Sequence, residues 1–137
     1  MKLKPSIKIL VIDDCLDTRT LIKKILLKRG FKCVELAADA FEGLAIMQES
    51  YQRFEPIDLV LADWQMPKLS GIDLLSKMKI DARFKETIFI MISSDCDSLH
   101  VMNAINSGVD SYVVKPIKPN ILFDKISIAV RHSPRIN

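Results

Sequence analysis

The sequence has few of the features that disulfide-rich, fibrous or membrane-spanning proteins require. Its three cysteines, Cys15, Cys33 and Cys96, cannot all pair with one another, and none forms a CxxC motif, so a disulfide scaffold and a zinc site are both disfavoured. Only four glycines and six prolines occur, which excludes collagen and low-complexity disorder. No run of about 18 apolar residues is present. These absences predict an intracellular, cytoplasmic protein.

Charge of one sign is also not in large excess. There are 20 basic and 17 acidic residues, giving a net charge of +3. A net positive charge of this size is too small for a dedicated nucleic-acid-binding protein. We therefore expect neither nucleic acid nor a membrane among its partners. With 137 residues, 49% of them hydrophobic, the chain is long enough to bury a core without disulfides or metals. We predict a single domain over residues 1–137, with its core at about 7–131 and a tail at 132–137.

Hydrophobic periodicity divides the chain into alternating strands and helices. Short β-rich segments are predicted at 7–12, 32–36, 58–62, 88–92 and 111–114, and each is followed by a longer stretch with helical spacing. Boundary signals agree with this division. They are Gly30 and Gly108 at helix ends, capping boxes at Asp39 and Ser70, and Pro119 in the first turn of the last helix. The pattern is β–α repeated five times, which predicts an α/β fold with a doubly wound parallel sheet and helices on both faces.

Polar residues end four of the five apolar runs. The first run ends in Asp13 and Asp14, the third in Asp63, the fourth in Ser93 and the fifth in Lys115. The carboxyl ends of parallel strands share one edge of a sheet, where ligands bind near the reversal of strand order. We therefore expect three carboxylates, one hydroxyl and one ammonium group to converge.

Such a cluster suits a hard divalent cation and phosphoryl chemistry. Three adjacent carboxylates repel one another unless a cation is present, and oxygen ligands favour Mg²⁺, with Mn²⁺ as the alternative. One carboxylate can act as a nucleophile towards phosphorus. Lys115 by charge and Ser93 by a hydrogen bond would serve the other phosphoryl oxygens. A single Asp after a strand is more often a turn or cap residue, so the interpretation depends on the joint pattern.

These residues resemble the receiver domain of two-component response regulators, from about Lys8 to about Val130. The similarity is greatest to the single-domain chemotaxis type. The motifs that carry it, in order, are Val11-Ile-Asp-Asp14, Asp63-Trp-Gln-Met-Pro67 with Gly71, Ser93-Ser94, and Tyr112-Val-Val-Lys-Pro116. The resemblance implies a flavodoxin-like (βα)5 fold with strand order 2-1-3-4-5.

The resemblance also implies roles for single residues. Asp63 would be the phospho-acceptor, with Lys115 paired to the phosphoryl group. Asp14 would bind Mg²⁺ directly and Asp13 largely through water, and Asp63 and the backbone carbonyl of Gln65 would complete the metal site.

Two further residues would form the switch. Ser93 would contact the phosphoryl group and reorient, and Tyr112 would move between outward and inward positions.

The resemblance has consequences at other positions too. The bond from Lys115 to Pro116 is often cis in this family. Gln65 and Asp95 occupy positions that tune how fast the phosphoryl group is lost.

The resemblance implies a phosphohistidine donor, either a sensor histidine kinase or a histidine phosphotransfer protein. A downstream protein would bind the surface formed by the fourth helix, fifth strand and fifth helix. Such a protein catalyses only its own phosphorylation and dephosphorylation, and is not otherwise an enzyme.

Two alternatives remain. A Mg²⁺-dependent phosphatase with Asp63 as nucleophile would need an acid two residues on, where Gln65 stands, and a cap element. An interaction module that never carries phosphate is disfavoured by the intact Asp14, Asp63, Ser93 and Lys115.

Overall fold

A computed structural model describes residues 3–133 and 136, and these residues form a five-stranded parallel sheet with helices between the strands. The strands are β1 (Lys8–Ile12), β2 (Cys33–Ala37), β3 (Leu59–Asp63), β4 (Ile88–Ser93) and β5 (Ser111–Val114). The helices are α1 (Leu16–Lys28), α2 (Ala40–Gln52), α3 (Gly71–Lys79), α4 (Ser98–Asn106) and α5 (Pro119–Arg131). All five predicted strands are present, with bounds within one residue of those expected.

The strand order is β2-β1-β3-β4-β5, which confirms the predicted doubly wound topology. Order reverses at β1, because β2 lies on one side of it and β3 on the other. The crevice at the carboxyl ends of β1 and β3 is therefore the place where such a sheet binds ligands.

The two faces of the sheet carry separate cores, since alternate strand residues point to opposite sides. Ile9 and Val11 of β1 pack with α1 and α5. Leu10 and Ile12 pack with α2, α3 and α4. All four side chains are at most 1% exposed, and each such aliphatic burial contributes about 1.5–3 kcal/mol to folding. Helices on both faces explain why β1 is continuously apolar rather than alternating.

The helix ends follow the predicted signals. The Asp39 carboxylate accepts a hydrogen bond from the Glu42 amide at 2.8 Å, and the Ser70 hydroxyl accepts one from the Asp73 amide at 3.1 Å. Gly30 and Gly108 have φ values of +98° and +104°, a backbone conformation that glycine adopts without steric cost. These caps fix where α2 and α3 begin relative to the strands before them.

Of the predicted tail at 132–137, the structure describes residues 132, 133 and 136, and residues 134, 135 and 137 lie outside the described part. Ser133 is buried and Ile136 packs against the α1–α5 face of the core. The tail therefore contributes to packing at these positions. No helix within residues 3–133 is long and apolar enough to cross a bilayer.

Candidate functional site

Three carboxylates meet at the crevice between β1 and β3. Asp13 and Asp14 directly follow β1, and Asp63 is the last residue of β3. One oxygen atom from each lies within 4.8 Å of the others. Asp13 and Asp63 are buried, at 1% and 8% exposed, whereas Asp14 faces solvent. The structure thus brings together the three acids that the strand ends predicted.

Lys115 lies between the two buried carboxylates. Its Nζ atom donates to Oδ2 of Asp13 at 3.0 Å and to Oδ2 of Asp63 at 3.2 Å. The backbone holds this residue in place, because the Lys115 amide donates to the Ser93 carbonyl at 2.8 Å. The bond to Pro116 is cis. Burial disfavours the ammonium form, but the hydrogen bond and charge of Asp13, together with Asp63, outweigh it and raise the pKa of Lys115 above its ordinary value. Lys115 therefore supplies a fixed positive charge to the site.

Lys115 does not fully compensate the negative charge of the Asp63 carboxylate. Burial and the neighbouring Asp13 raise the pKa of the Asp63 carboxyl, while Lys115 and a hydrogen bond from the Gln65 amide oppose the shift. The net direction is upward, so the pocket disfavours a second full negative charge. A divalent cation would remove this penalty.

Asp13 is held by its surroundings more tightly than Asp14. Its Oδ1 atom accepts a hydrogen bond from the Cys15 amide at 2.9 Å, and its Oδ2 atom accepts one from the Lys115 ammonium group. The guanidinium of Arg19 donates to the Asp13 carbonyl at 2.8 Å. Sequence reasoning missed both Cys15 and Arg19. The only available signal was that Arg19 lies in the first turns of the helix that follows the two acids.

The donor set fits a hard divalent cation. The three side chains offer carboxylate oxygens only, which suits Mg²⁺ or Mn²⁺. Asp14 has its carboxylate in solvent and can ligate directly, whereas both oxygens of Asp13 already accept hydrogen bonds. Gln65 has an exposed side chain, consistent with a role for its backbone alone.

Ser93 and Tyr112 are joined through Asp95. The buried Ser93 hydroxyl accepts a hydrogen bond from the Asp95 amide at 3.0 Å. The Tyr112 hydroxyl donates to the Asp95 carbonyl at 2.6 Å, and the tyrosine is only 8% exposed. In this structure Tyr112 therefore occupies an inward position. Ser93 directly follows Ile92, the strand partner of Asp63, so it ends β4 at the same carboxyl edge of the sheet.

Trp64 and His100 cover this part of the site. The half-buried Trp64 ring makes edge-to-face contacts with Tyr112 and His100, at centroid distances of 6.3 Å and 5.8 Å. His100 also pairs with the Asp95 carboxylate. Sequence reasoning did not anticipate this pair, because a lone histidine on a predicted helix carries no signal for a contact with a preceding loop.

Gly71 allows the loop after β3 to fold tightly against Asp63. A Cβ atom at this position would lie 2.5 Å from the carbonyl oxygen of Asp63 and 2.9 Å from the Met91 sulfur. Its amide donates to the Trp64 carbonyl at 2.8 Å. The sequence motif included Gly71, but the reason for a glycine is visible only in this contact.

The chain is similar to known receiver domains and chemotaxis proteins in both sequence and fold. The family model of the response regulator receiver domain matches residues 9–127. The chemotaxis protein CheY1 of Helicobacter pylori is 33% identical over 126 residues, covering 90% of this chain and 96% of that protein. A response regulator receiver domain protein from Clostridium thermocellum superposes with a TM-score of 0.80 at 31% identity, covering 95% of this chain and 98% of the other. A CheX–CheY–BeF₃–Mg²⁺ complex from Borrelia burgdorferi gives a TM-score of 0.76 at 29% identity, with coverages of 87% and 85%.

Proposed function

The chain belongs to the response regulator receiver domain family, and from this premise we propose that Asp63 accepts a phosphoryl group from a phosphohistidine donor. The observation that carries the proposal is the pairing of the Lys115 ammonium with a buried Asp63 carboxylate, 3.2 Å apart, beside two further acids. Receiver domains are phospho-accepting signalling modules. In this chain Asp63 and Lys115 would carry that activity.

The transfer is a nucleophilic substitution at phosphorus. An Oδ atom of Asp63 forms the new O–P bond, and the P–N bond to the donor imidazole breaks, with its electron pair returning to the imidazole nitrogen. Lys115 lies against both Asp13 and Asp63, so its charge stabilises the ionised nucleophile and then a phosphoryl oxygen. Ser93 is one residue beyond the strand partner of Asp63, and its hydroxyl would hydrogen-bond another phosphoryl oxygen.

The metal site would consist of Asp14 and Asp63 as direct ligands, Asp13 largely through water, and the carbonyl of Gln65. Receiver domains bind Mg²⁺ at an acidic pocket, and the three convergent carboxylates form such a pocket here. The ion, Mg²⁺ or Mn²⁺, would supply positive charge to offset the charge that develops during transfer. The raised pKa of Asp63 supports this assignment, because a cation would restore the ionised nucleophile.

The donor would be a sensor histidine kinase or a histidine phosphotransfer protein, and the output would pass to a protein partner at the α4–β5–α5 surface. That surface exposes large apolar side chains, namely Leu99, Met102, Ile105, Val114 and Ile121. In Borrelia burgdorferi a CheY was crystallised with CheX; a protein partner of this kind is proposed here too. The chain would act as a cytoplasmic signal carrier that catalyses only its own phosphorylation and dephosphorylation. We propose that residues 1–137 form one receiver domain.

Mass spectrometry of the intact protein tests the proposal. Incubation with acetyl phosphate and Mg²⁺ should add one phosphoryl group to the parent and none to Asp63→Asn, and hydroxylamine should remove it, since an acyl phosphate is labile. Asp17→Asn is the matched control, because Asp17 is an exposed acid near the site in the first turn of α1, and it should be labelled like the parent. Hydroxylamine-stable labelling on a serine or histidine would contradict the assignment. A phosphomonoester turnover assay alongside would detect the phosphatase alternative.

A further inference from the structure

Asp95 is the point at which the loop between β4 and α4 is tied together. Its amide donates to the Ser93 hydroxyl at 3.0 Å, and its carbonyl accepts from the Tyr112 hydroxyl at 2.6 Å. Its carboxylate accepts from the Asp97 amide at 2.9 Å through Oδ1, and its Oδ2 contacts Nδ1 of His100. All polar groups of this one residue are therefore engaged. The position of the Asp95 carbonyl, which holds Tyr112 inward, depends on contacts made by the side chain of the same residue.

His100 is the only titratable partner in this arrangement that lies on a helix. It is in the first turn of α4, its ring makes an edge-to-face contact with Trp64, and its Nδ1 atom contacts the Asp95 carboxylate. Asp95 and Asp97 are the charged groups that face it from the loop. The charged or titratable groups around Tyr112 include Asp95, Cys96 and Asp63, and Lys115, Lys125 and Asp110 line cavities that Tyr112 also lines. Burial raises the pKa of the Tyr112 phenol, so it stays neutral across the range in which a histidine titrates.

We propose that His100 is a positioning residue for the switch: its ion pair with Asp95 holds the β4–α4 loop in the arrangement that keeps Tyr112 inward. The inference deepens the proposed function, and it depends on that function only for its consequence at Asp63. When the imidazole loses its proton, the ion pair with Asp95 is lost and the loop is held less firmly. The outward population of Tyr112 then rises.

The direction of the pH dependence follows from the pair. The hydrogen bond and charge of Asp95 raise the pKa of His100 above its ordinary value. The hydrogen bond from the Asp97 amide, followed by that with His100, lowers the pKa of Asp95. The ion pair is therefore complete below the ordinary pKa of histidine. It is lost as the pH rises through the raised value in the folded protein.

Carbon-13 NMR of labelled tyrosine rings tests the inference directly. The chain has two tyrosines; Tyr51 packs on Phe84 elsewhere and serves as an internal reference, and Tyr51→Phe assigns the signals. Between about pH 6 and pH 9 the Tyr112 signal should move, with a midpoint above about 6.5, the ordinary histidine value. His100→Gln should hold it at the high-pH position throughout. His100→Lys, which keeps a cation, should hold it near the low-pH position.

The second histidine provides the matched control. His132 lies at the end of α5, so His132→Gln should reproduce the parent profile. A Tyr112 signal that is unchanged with pH in the parent, or that moves identically in His100→Gln, would overturn the inference. Melting curves confirm that the variants are folded under the conditions compared.

Beryllofluoride with Mg²⁺, used as a phosphoryl mimic, tests the consequence at Asp63. The parent should bind it about twofold to fivefold more tightly than His100→Gln at pH 6, the range expected for a solvent-exposed ion pair. The ratio should approach one at pH 9. A ratio that does not change with pH would mean that His100 acts only structurally, and the inference would fail. Absence of binding by every variant would contradict the proposed function instead, while the tyrosine profile would still decide the role of His100.

Discussion

The Nζ atom of Lys115 lies 3.2 Å from Oδ2 of Asp63, although the two residues are 52 positions apart. Asp63 is the last residue of β3, Lys115 directly follows β5, and β4 lies between these two strands in the sheet. The same ammonium lies 3.0 Å from Asp13, which is 102 positions away. One cation thus stabilises two buried acids, and its removal should affect folding and chemistry together.

Replacement of Lys115 by methionine should destabilise the protein in metal-free buffer. It leaves the buried Asp13 and Asp63 without their cation, at a cost of about 1–3 kcal/mol, below the full value for a buried pair because Lys115 is 23% exposed. Thermal or urea unfolding in chelator measures this. Added Mg²⁺ should restore more stability to Lys115→Met than to the parent. Lys118→Met removes an exposed lysine of the same segment, and it should melt close to the parent.

Replacement of Asp63 by asparagine should raise stability in chelator at neutral pH, by about 1 kcal/mol or roughly 4 °C in Tm. Because burial and Asp13 raise the pKa of Asp63 in the folded protein, ionisation there is harder than in the unfolded chain. The penalty is complete above the raised pKa, and it disappears as the pH falls through that value towards the ordinary one. The advantage of Asp63→Asn should shrink over the same interval. A parent that is more stable than this variant in neutral chelator would contradict the crowding of charge at the site.

Mg²⁺ should change the fluorescence of Trp64, the only tryptophan in the chain. Its ring lies directly after Asp63 and touches Tyr112 and His100, so a change of charge among the three acids alters its surroundings. A titration into the millimolar range measures the affinity. Asp14→Asn should weaken it strongly, whereas Asp17→Asn should not. No fluorescence change together with no calorimetric heat would count against a metal site.

Replacement of Ser93 by alanine should leave phosphorylation at Asp63 intact and weaken its transmission. The Ser93 hydroxyl accepts a hydrogen bond from the Asp95 amide, and the Asp95 carbonyl accepts one from the Tyr112 hydroxyl. Loss of the Ser93 hydroxyl should therefore uncouple the phosphoryl group from the inward tyrosine. The expected coupling free energy between phosphorylation at Asp63 and the inward position of Tyr112 is about 1–3 kcal/mol. Amide exchange or NMR shifts across residues 99–114, with and without acetyl phosphate, measure it. Ser93→Thr keeps the hydroxyl and should transmit normally. Equal phosphorylation-dependent shifts in Ser93→Ala and the parent would show that the hydroxyl is not the trigger.

The alternation of strands and helices along the chain and the helix boundaries could be predicted from local signals, whereas the strand order 2-1-3-4-5 was implied by the resemblance to receiver domains. Apolar runs and helical spacing are set by burial, and they repeat over enough residues to be read without tertiary contacts. The caps at Asp39 and Ser70 are satisfied within three residues, so short sequence patterns specify them. The convergence of Asp13, Asp14 and Asp63 also followed from sequence, since parallel strands present their carboxyl ends at one edge.

The contacts around these acids could not be predicted. The Cys15 amide and the Arg19 side chain fix Asp13 through the turn between β1 and α1, whose backbone path no residue pattern specifies. The need for Gly71 arises from a carbonyl 2.5 Å from where its Cβ would be, a distance set by how the β3–α3 loop closes.

The sequence by itself therefore determined the β–α repeat, the sheet and the identity of the charged groups at its edge, because each is encoded in local periodicity and in the residue that ends each strand. Tertiary structure alone decided the balance of charge at the site and the position of the Tyr112 side chain. Whether Asp63 is short of compensation depends on its burial and on the position of Lys115 between two carboxylates. Whether Tyr112 lies inward depends on where Asp95 is held by Ser93 and His100. These are distances of a few ångströms between residues far apart in the chain, and the whole packed fold sets them.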